Sequence, residues 1–264
     1  MIKITDLAVT FNRGTPMETR ALRGIDLTIP GGQFVTVIGS NGAGKSTLLN
    51  ALTGDVRPER GSVTIGGTNV TGWSAPARAG LIARVFQDPL AGSCEALTIE
   101  ENMALAAARG RARGLSRALG GSVREQFREK LKQLGLGLEA RLADRMGLLS
   151  GGQRQAVSLL MATLRPMKIL LLDEHTAALD PKTAQFVLQL TDAIVSAQRL
   201  TTLMVTHSMR QALDHGSRTI MLHEGRIAFD VAGKVRDGLD VPDLLALFSR
   251  GQGRALADDS LLLG

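Results

Sequence analysis

Strand-like alternation of apolar and polar side chains opens the chain. Apolar residues recur at close to every second position across residues 2–11 and 22–29, and a loop at residues 12–16 separates the two stretches. This period of two predicts a pair of strands with one buried face. After a turn at residues 30–32, the run Phe34–Ile38 is rich in β-branched residues and almost wholly apolar, which is typical of a strand buried on both faces.

A change of character marks the middle of the chain. Thr47–Leu52 follows a helical rhythm, and residues 61–70 predict a β-hairpin around Gly66 and Gly67. Across residues 88–149, Ala, Leu, Arg and Glu dominate and runs of β-branched residues vanish. We therefore expect a mostly helical insert after the first strands.

Strand patterns return in the last third of the chain, at residues 169–172, 202–205, 219–222 and 226–229. Between the first two lies Pro181–Ala197, whose apolar residues recur at helical spacing. A short helix near Pro242–Phe248 precedes a weakly patterned tail. This order of elements predicts an α/β core that is interrupted by a helical lobe.

Composition narrows the classes of protein that fit this pattern. Of the 264 residues, 44% are apolar and 21% are charged, which excludes a disordered or collagen-like chain. A single cysteine, Cys94, excludes an internal disulfide framework and a metal cage built from cysteines. Aromatic residues make up 3% and include no tyrosine, which argues against an aromatic platform for nucleic acid. We therefore expect a protein that binds no nucleic acid. Because no signal-peptide layout or membrane-length apolar run is present, we also expect it to be cytoplasmic.

Positive charge is concentrated in one segment. The chain carries 31 Lys and Arg against 25 Asp and Glu, a net charge of +6. The surplus is concentrated at Arg109, Arg111, Arg113, Arg117, Arg124, Arg128, Lys130 and Lys132. Two interpretations stay open. The segment is either a surface for anionic lipid headgroups or nucleic acid, or a solvated helical face on which Glu125 and Glu129 form ion pairs at helical spacing.

A glycine-rich segment directly follows the buried strand. It reads Gly39-Ser40-Asn41-Gly42-Ala43-Gly44-Lys45-Ser46-Thr47 and matches the P-loop pattern G-x-x-x-x-G-K-[ST]. Backbone N–H groups of such a loop converge on phosphate oxygens, and the following helix adds the positive end of its dipole. We expect Lys45 to reach the β- and γ-phosphates and the Ser46 hydroxyl to bind Mg²⁺. The motif predicts binding of a nucleoside triphosphate but leaves open what its energy drives.

Two adjacent carboxylates, Asp173 and Glu174, end the apolar run at residues 169–172. In an open parallel sheet, ligands bind beyond the carboxyl ends of the strands. Asp173 is suited to hold Mg²⁺ through its water shell, and Glu174 is suited to polarise the water that attacks the γ-phosphate. Acids at strand ends are common in proteins, so this pair alone is a weak indication of function. Together with the P-loop earlier in the chain, it strongly indicates a nucleotide site.

A third motif precedes these acids. Leu149-Ser150-Gly151-Gly152-Gln153-Arg154 resembles the signature of the ABC (ATP-binding cassette) ATPases. Further residues match motifs of that family in the family's order: Phe11 the adenine-stacking aromatic, Gln87 the Q-loop, Asp180 the D-loop and His207 the switch histidine. The resemblance covers about residues 2–248. His175 is a departure, because most of the family has proline there, and we assign it no catalytic role.

The resemblance implies a fold and its subdivision. The expected fold class is α/β, with a P-loop NTPase core around a mostly parallel sheet, an antiparallel β subdomain and an inserted helical subdomain. Residues 1–264 would form a single ABC ATPase domain. Its core and β subdomain are expected from residues 1–87 and 151–248, its helical subdomain from residues 88–150, and a tail from residues 249–264.

The same resemblance implies ligands and roles. ATP and Mg²⁺ are the implied cofactors. Glu174 is the implied catalytic base, His207 a contact to the γ-phosphate, and Gln87 a contact to Mg²⁺ or to the attacking water. Ser46 and Asp173 complete the implied metal ligands.

A dimer follows from the family's way of binding ATP. In this family, the signature of one cassette faces the P-loop of another, so that ATP lies between two subunits. Ser150 and the Gly151-Gly152 backbone begin a helix whose N–H groups form a second anion site. Together with Gln153, these signature residues are expected to contact the ATP bound by the partner chain. Asp180 is expected to shape the interface between the two chains. Because this chain carries one cassette, the resemblance implies a homodimer.

One bacterial branch of the family carries similar sequence around the acids. Leu171–Lys182 and Gly137–Leu142 resemble the ATPase subunits of importers that work with a lipoprotein-type binding protein, with aromatic amino acids among the proposed cargoes. The implied partners are integral membrane permease subunits and an extracytoplasmic substrate-binding protein. The implied location is the cytoplasmic face of the inner or plasma membrane, reached through the permease.

Two other functions are considered. A soluble ABC ATPase without a permease, of the iron–sulfur assembly type, is compatible with the length of the chain. A binding scaffold without hydrolysis is disfavoured because Lys45, Glu174 and His207 are all present.

Overall fold

The computed structural model describes residues 1–111 and 119–252. Arg113 and Arg117 of the basic segment therefore lie outside the described residues. The same holds for residues 253–264 of the predicted tail.

The chain forms two compact units. The first comprises Met1–Arg78 together with the described residues from Gln198 onward, and the second is Ala79–Ala197. These boundaries differ from those of the predicted helical insert at residues 88–150. The division into subdomains that we expect from the family stays a prediction.

The described residues form ten strands and nine α-helices. The strands are β1 (Ile2–Phe11), β2 (Thr19–Ile29), β3 (Phe34–Ile38), β4 (Arg60–Ile65), β5 (Thr68–Asn69), β6 (Ile82–Val85), β7 (Ile169–Asp173), β8 (Thr202–Val205), β9 (Arg218–His223) and β10 (Arg226–Ala232). The helices are α1 (Lys45–Thr53), α2 (Ala75–Arg78), α3 (Ile99–Ala107), α4 (Gly121–Lys132), α5 (Gly151–Thr163), α6 (Pro181–Gln198), α7 (Met209–Asp214), α8 (Gly233–Asp237) and α9 (Val241–Gln252). Two 3₁₀ turns occupy Leu138–Ala140 and Met146–Leu148.

An antiparallel sheet in the first unit is built from the alternating segments. Its strand order is β2-β1-β4-β5, and Ile2 of β1 pairs with Ile29 of β2 on one side and Ile65 of β4 on the other. Most apolar positions of β1 and β2 are buried, as their period of two predicts, whereas Phe11 at the end of β1 is exposed. The predicted hairpin is present, since β4 and β5 pair antiparallel across Gly66 and Gly67.

A second set of strands in the first unit contains the run that we expected to be buried on both faces. All five residues of β3 are buried. β3 pairs parallel with β8 through Val37 and Val205 and parallel with β9 through Ile38 and Met221. β10 pairs antiparallel with β9. The carboxyl ends of β3 and β8 therefore lie at the same edge.

The second unit combines a parallel strand pair with a helical core. β6 and β7 pair parallel, with Val85 opposite Leu172. Fourteen buried residues from α3, α4, α5 and the segments that connect them form one apolar cluster, which includes Met103, Phe127 and Leu160. The helical character predicted for the middle of the chain is confirmed in the described residues, whereas β6 was not predicted.

The basic segment carries the ion pairs expected of a solvated helical face. On α4, Arg128 pairs with Glu125 and Lys132 pairs with Glu129, each at a spacing of three residues. Arg124 donates two hydrogen bonds to Glu100, at 2.8 and 2.9 Å.

Along residues 1–111 and 119–252, no helix combines the length and the apolar character that a membrane crossing needs.

Candidate active site

The P-loop lies between β3 and α1 and has a backbone that only glycine adopts easily. Gly39, Gly42 and Gly44 have φ values of 150°, 77° and 103°. A Cβ atom on Gly39 would lie 2.3 Å from the carbonyl oxygen of Leu222, and one on Gly44 would lie 2.6 Å from that of Ala21. Both contacts are closer than a side chain allows, so the loop can pass its neighbours only with glycine at these positions.

Lys45 is folded into this loop. Its side chain is buried, and Nζ donates hydrogen bonds to the carbonyl oxygens of Gly39 at 2.6 Å and Ser40 at 3.1 Å. Because Lys45 is also the first residue of α1, the ammonium group and the positive end of the helix dipole lie together. Asn41 and Ser46 are exposed beside them. This arrangement can bind a polyanion through backbone N–H groups, one ammonium group and one hydroxyl group.

His207 follows β8 and lies at the same strand edge as the P-loop. The N–H of Thr206 donates to the carbonyl of Val37 at 3.1 Å, which ties the end of β8 to the end of β3. Ser208 caps α7 by accepting a hydrogen bond from the N–H of Gln211 at 3.2 Å. The backbone of His207 is therefore held between a strand end and a helix start, and its side chain is half-buried.

Phe11 is the last residue of β1, where it pairs with Thr19 of β2. Its side chain is 39% exposed, unlike the buried apolar residues earlier in the strand. An exposed ring at a strand end can stack on a flat ligand, and the contact of Phe11 with adenine stays a prediction.

The acidic pair lies where the sequence places it, at the carboxyl end of a buried strand. Asp173 is the last residue of β7 and Glu174 follows it. Gln87 is exposed two residues beyond the end of the parallel neighbour β6. Three polar groups of the second unit therefore gather at one strand edge, which is the edge at which parallel sheets bind ligands.

Arg84 is a site residue that we did not identify from the sequence. Its Nη2 lies 2.5 Å from Oδ2 of Asp173, and the two side chains are only 12% and 14% exposed. The guanidinium carbon also lies 4.8 Å from the centre of the Phe86 ring. A basic residue inside the apolar segment Ile82–Val85 was the available signal, because a buried charge requires a partner.

The residues expected to hold Mg²⁺ offer suitable donor atoms. Ser46 offers a hydroxyl oxygen, Gln87 an amide oxygen and Asp173 a carboxylate, and oxygen ligands of these kinds suit Mg²⁺. Ser46 and Gln87 are exposed, and Asp173 shares its carboxylate with Arg84. Each of these donor groups therefore suits the ion, and their joint role in holding it stays a prediction.

The signature residues begin α5. The hydroxyl of Ser150 accepts a hydrogen bond from the N–H of Gln153 at 3.3 Å, and the Gln153 side chain accepts one from the N–H of Ser150 at 3.2 Å. This reciprocal pair is a capping box. Gly152 has no room for a side chain, because a Cβ atom would lie 2.0 Å from Cγ2 of Thr183. The helix start is thus fixed in shape, and Ser150 and Gly151 are exposed.

Asp180 caps α6. Its Oδ1 accepts a hydrogen bond from the N–H of Thr183 at 3.1 Å, and its carbonyl accepts one from the N–H of Ala184 at 2.8 Å. Hydrogen bonds from the side chain and backbone of Thr183 lower the pKa of Asp180. The exposed carboxylate is therefore ionised at neutral pH and stabilises the helix start.

A groove of about 310 Å³ lies in the second unit beyond the end of β6. Its lining includes Phe86, Asp88, Leu105, Arg109 and Ser158. Leu105 is 61% exposed, whereas the Ser158 hydroxyl is buried and has no partner among the described residues. Nη2 of Arg109 donates to a backbone carbonyl, but Nε is buried without a partner in the described part of the chain. Burial, and secondarily a neighbouring arginine, lowers the pKa of Arg109.

Comparison with known proteins gives the family. Residues 22–177 match the family described as ABC transporter. The chain is 41% identical to the tyrosine transport ATP-binding protein of Clostridioides difficile, over 94% of this chain and 98% of that protein. It is 36% identical to the thiamine import ATP-binding protein ThiQ of Shigella flexneri, over 90% of this chain and 94% of that protein.

A solved structure agrees with these relatives. The ATP-binding cassette MJ0796, described as a dimer in a post-hydrolysis state with ADP and Pi, superposes with a TM-score of 0.75. It is 30% identical and covers 88% of this chain and 98% of its own. The chain therefore belongs to the ABC transporter family. It is an ATP-binding subunit of that family, with the ABC ATPase fold and ATPase activity.

Proposed function

We propose that this ATPase drives a bacterial importer that takes its solute from an extracytoplasmic substrate-binding protein. Two copies of the chain would dock beneath a membrane permease at the cytoplasmic face and couple ATP-driven closure to alternating access. The observation that carries the transport step is the groove beside β6. The relative named for thiamine import supports this direction of transport, and the relative named for tyrosine transport supports a transport function.

The first unit binds most of the nucleotide in this proposal. The N–H groups of Gly39–Thr47 and the Lys45 ammonium group bind the β- and γ-phosphates, exchanging the loop's own carbonyls for phosphate oxygens. Phe11 stacks on adenine. His207, held at the same strand edge, donates a hydrogen bond to the γ-phosphate and stabilises the charge that develops there.

The second unit contributes the acid–base chemistry. Glu174 accepts a proton from the attacking water, and Gln87 orients that water. Ser46, Gln87 and Asp173 are the residues that would hold Mg²⁺, which supplies charge neutralisation of the phosphates when bound. Arg84 holds Asp173 in place and keeps its buried carboxylate paired.

A homodimer completes each site. The start of α5 contains Ser150, Gly151, Gly152 and Gln153, of which Ser150 and Gly151 are exposed. It presents N–H groups and a positive dipole end to the γ-phosphate held by the partner chain. Asp180, which caps the start of α6, lies at the interface between the two chains in this proposal. The description of the MJ0796 cassette as a dimer supports this arrangement.

The groove suits a short amphipathic helix of the permease. Leu105 and Phe86 offer apolar contact, and Arg109 offers a guanidinium group whose buried Nε has no hydrogen-bond partner among the described residues. Because a partly buried guanidinium gains most from a carboxylate, we expect an acidic side chain of the permease at Arg109. The cargo we favour is an aromatic amino acid, as the relative named for tyrosine transport suggests.

Reconstitution tests this function. The chain is co-expressed with a candidate permease and a candidate binding protein from the same genome, purified in detergent and placed in proteoliposomes with ATP inside. We expect ATP-dependent uptake of radiolabelled tyrosine, and ATPase activity that the loaded binding protein stimulates. Arg109→Glu should abolish co-purification with the permease while retaining ATPase activity of the isolated chain, whereas Lys132→Glu on exposed α4 serves as the control. An active ATPase that never associates with a permease would instead favour a soluble ABC ATPase.

A further inference from the structure

The backbone at Glu174 is held in an unfavourable conformation. Its φ is 46°, in the left-handed region, although glutamate carries a side chain that disfavours this region. Such a conformation persists only when the surrounding structure holds it in place, and it is frequent at functional sites. The residues that flank Glu174, Asp173 and His175, therefore help to determine the direction in which its carboxylate points.

Both neighbours are anchored by their side chains. Asp173 is paired with Arg84. His175 is 2% exposed, and its Nε2 lies 3.0 Å from Oγ1 of Thr191. The Thr191 hydroxyl donates its own hydrogen to the carbonyl of Val187 at 2.8 Å, so its oxygen accepts the hydrogen bond from His175 Nε2–H.

The hydrogen bond joins two elements. His175 lies just beyond β7, whereas Thr191 lies in the body of α6 and is 1% exposed. The connecting loop is closed by Asp180 at the start of α6 and by a turn in which the N–H of Ala177 donates to the carbonyl of Glu174 at 2.9 Å. The contact with Thr191 is therefore a side-chain link between the backbone beside Glu174 and a packed helix.

We propose that His175 is a positioning residue which, through Thr191, fixes the orientation of Glu174 for ATP hydrolysis. A proline at this position would favour an extended backbone at the preceding residue. Histidine permits the left-handed conformation of Glu174, and the buried hydrogen bond maintains it. The inference rests on the proposed role of Glu174 as the base.

The test removes the acceptor and keeps the shape. In the full chain, Thr191→Val should lower kcat for Mg–ATP about 10- to 100-fold, as expected when a catalytic group is displaced. KM and the Kd of a fluorescent ATP analogue should stay unchanged. Thr191→Ser restores the hydroxyl and should restore kcat. Thr163→Val is the matched control, because the Thr163 hydroxyl also donates to a carbonyl of its own helix, that of Leu160 at 2.9 Å.

A second background separates positioning from general loss of structure. In the Glu174→Gln chain, adding Thr191→Val should not lower the residual single-turnover rate further, because the group being positioned is already absent. A kcat of Thr191→Val within twofold of the parent chain, or an equal further loss in the Glu174→Gln chain, overturns the proposal. Normal turnover by Glu174→Gln alone overturns the proposed role of Glu174 instead.

A second pair of variants covers the case in which Thr191→Val does not fold. His175→Gln keeps an N–H donor near the position of Nε2 and should keep most of kcat, whereas His175→Leu should lose it. Equal kcat values for these two variants would overturn the proposal.

Discussion

Buried charges at the candidate site are each held by a defined partner. Lys45 donates to two carbonyls of its own loop, and Asp173 is paired with Arg84. Buried charges are tolerated in proteins when they are paired or hydrogen-bonded. Ligand binding at Lys45 therefore exchanges one set of oxygen acceptors for another, and the ammonium group is already positioned before nucleotide arrives.

Glu174→Gln removes the proposed base and retains the shape of the side chain. We expect kcat to fall by about 10²- to 10⁴-fold, the range typical of lost general-base catalysis, while the Kd for ATP stays within a few-fold. Phosphate release and binding of a fluorescent ATP analogue measure the two quantities. Glu129→Gln, on the exposed face of α4, is the control and should behave like the parent chain. Unchanged turnover in Glu174→Gln would remove Glu174 from this role.

Arg84→Met tests the buried ion pair. Removing the guanidinium leaves the carboxylate of Asp173 buried and unpaired, which should lower the free energy of unfolding by about 3–5 kcal/mol. Asp173→Asn removes that charge, so Arg84→Met should cost much less in the Asp173→Asn chain. Urea unfolding of the four chains gives the coupling. If Arg84→Met costs the same with and without the Asp173 charge, the pair does not account for the burial of Arg84.

At the scale of elements, sequence pattern predicted those parts of the site that a single segment contains. The buried run Phe34–Ile38 and the glycines after it specify a strand, a loop and a helix start without reference to the rest of the chain. β6 escaped prediction because it has only four residues and includes Arg84. The contacts of Arg84 with Asp173 and of His175 with Thr191 join separate elements, and no local period encodes them.

Variants of Ser150 separate the cap of α5 from contact with phosphate. Ser150→Ala removes the cap and should lower the free energy of unfolding by about 1 kcal/mol, whereas Ser150→Asp retains a cap of similar strength. Both should lose most ATPase activity, because alanine lacks the hydroxyl and aspartate repels phosphate. Thr98→Ala is a matched control, since Thr98 forms the same capping box on α3 and should lose stability but not activity. Full activity in Ser150→Asp would contradict the proposed phosphate contact.

At the scale of the whole molecule, the proposed machinery is divided between the two units. Gly39–Thr47 and His207 belong to the first unit, whereas Glu174 and Ser150 belong to the second. In the proposed dimer, Ser150 serves the nucleotide that the other chain binds. Each composite site then depends on residues from two polypeptides. A P-loop defect in one chain affects one site of the dimer, and a signature defect in the same chain affects the other site.

Mixing two inactive chains tests this division. Lys45→Ala disables the P-loop of a chain, and Ser150→Asp disables the signature of a chain, so each homodimer has two defective sites. A mixed dimer has both defects in one site and none in the other, because the interface is two-fold symmetric. An equimolar mixture should form about half mixed dimers and therefore regain about one quarter of the parent ATPase activity if the two sites act independently.

Mixing Lys45→Ala with Lys45→Ala,Ser150→Asp is the control and should regain nothing, since every site then lacks Lys45. ATPase activity measured against mixing ratio should peak at equal amounts, and a flat, inactive profile in mixtures shown by tagged pull-down to contain mixed dimers would contradict a site shared between chains.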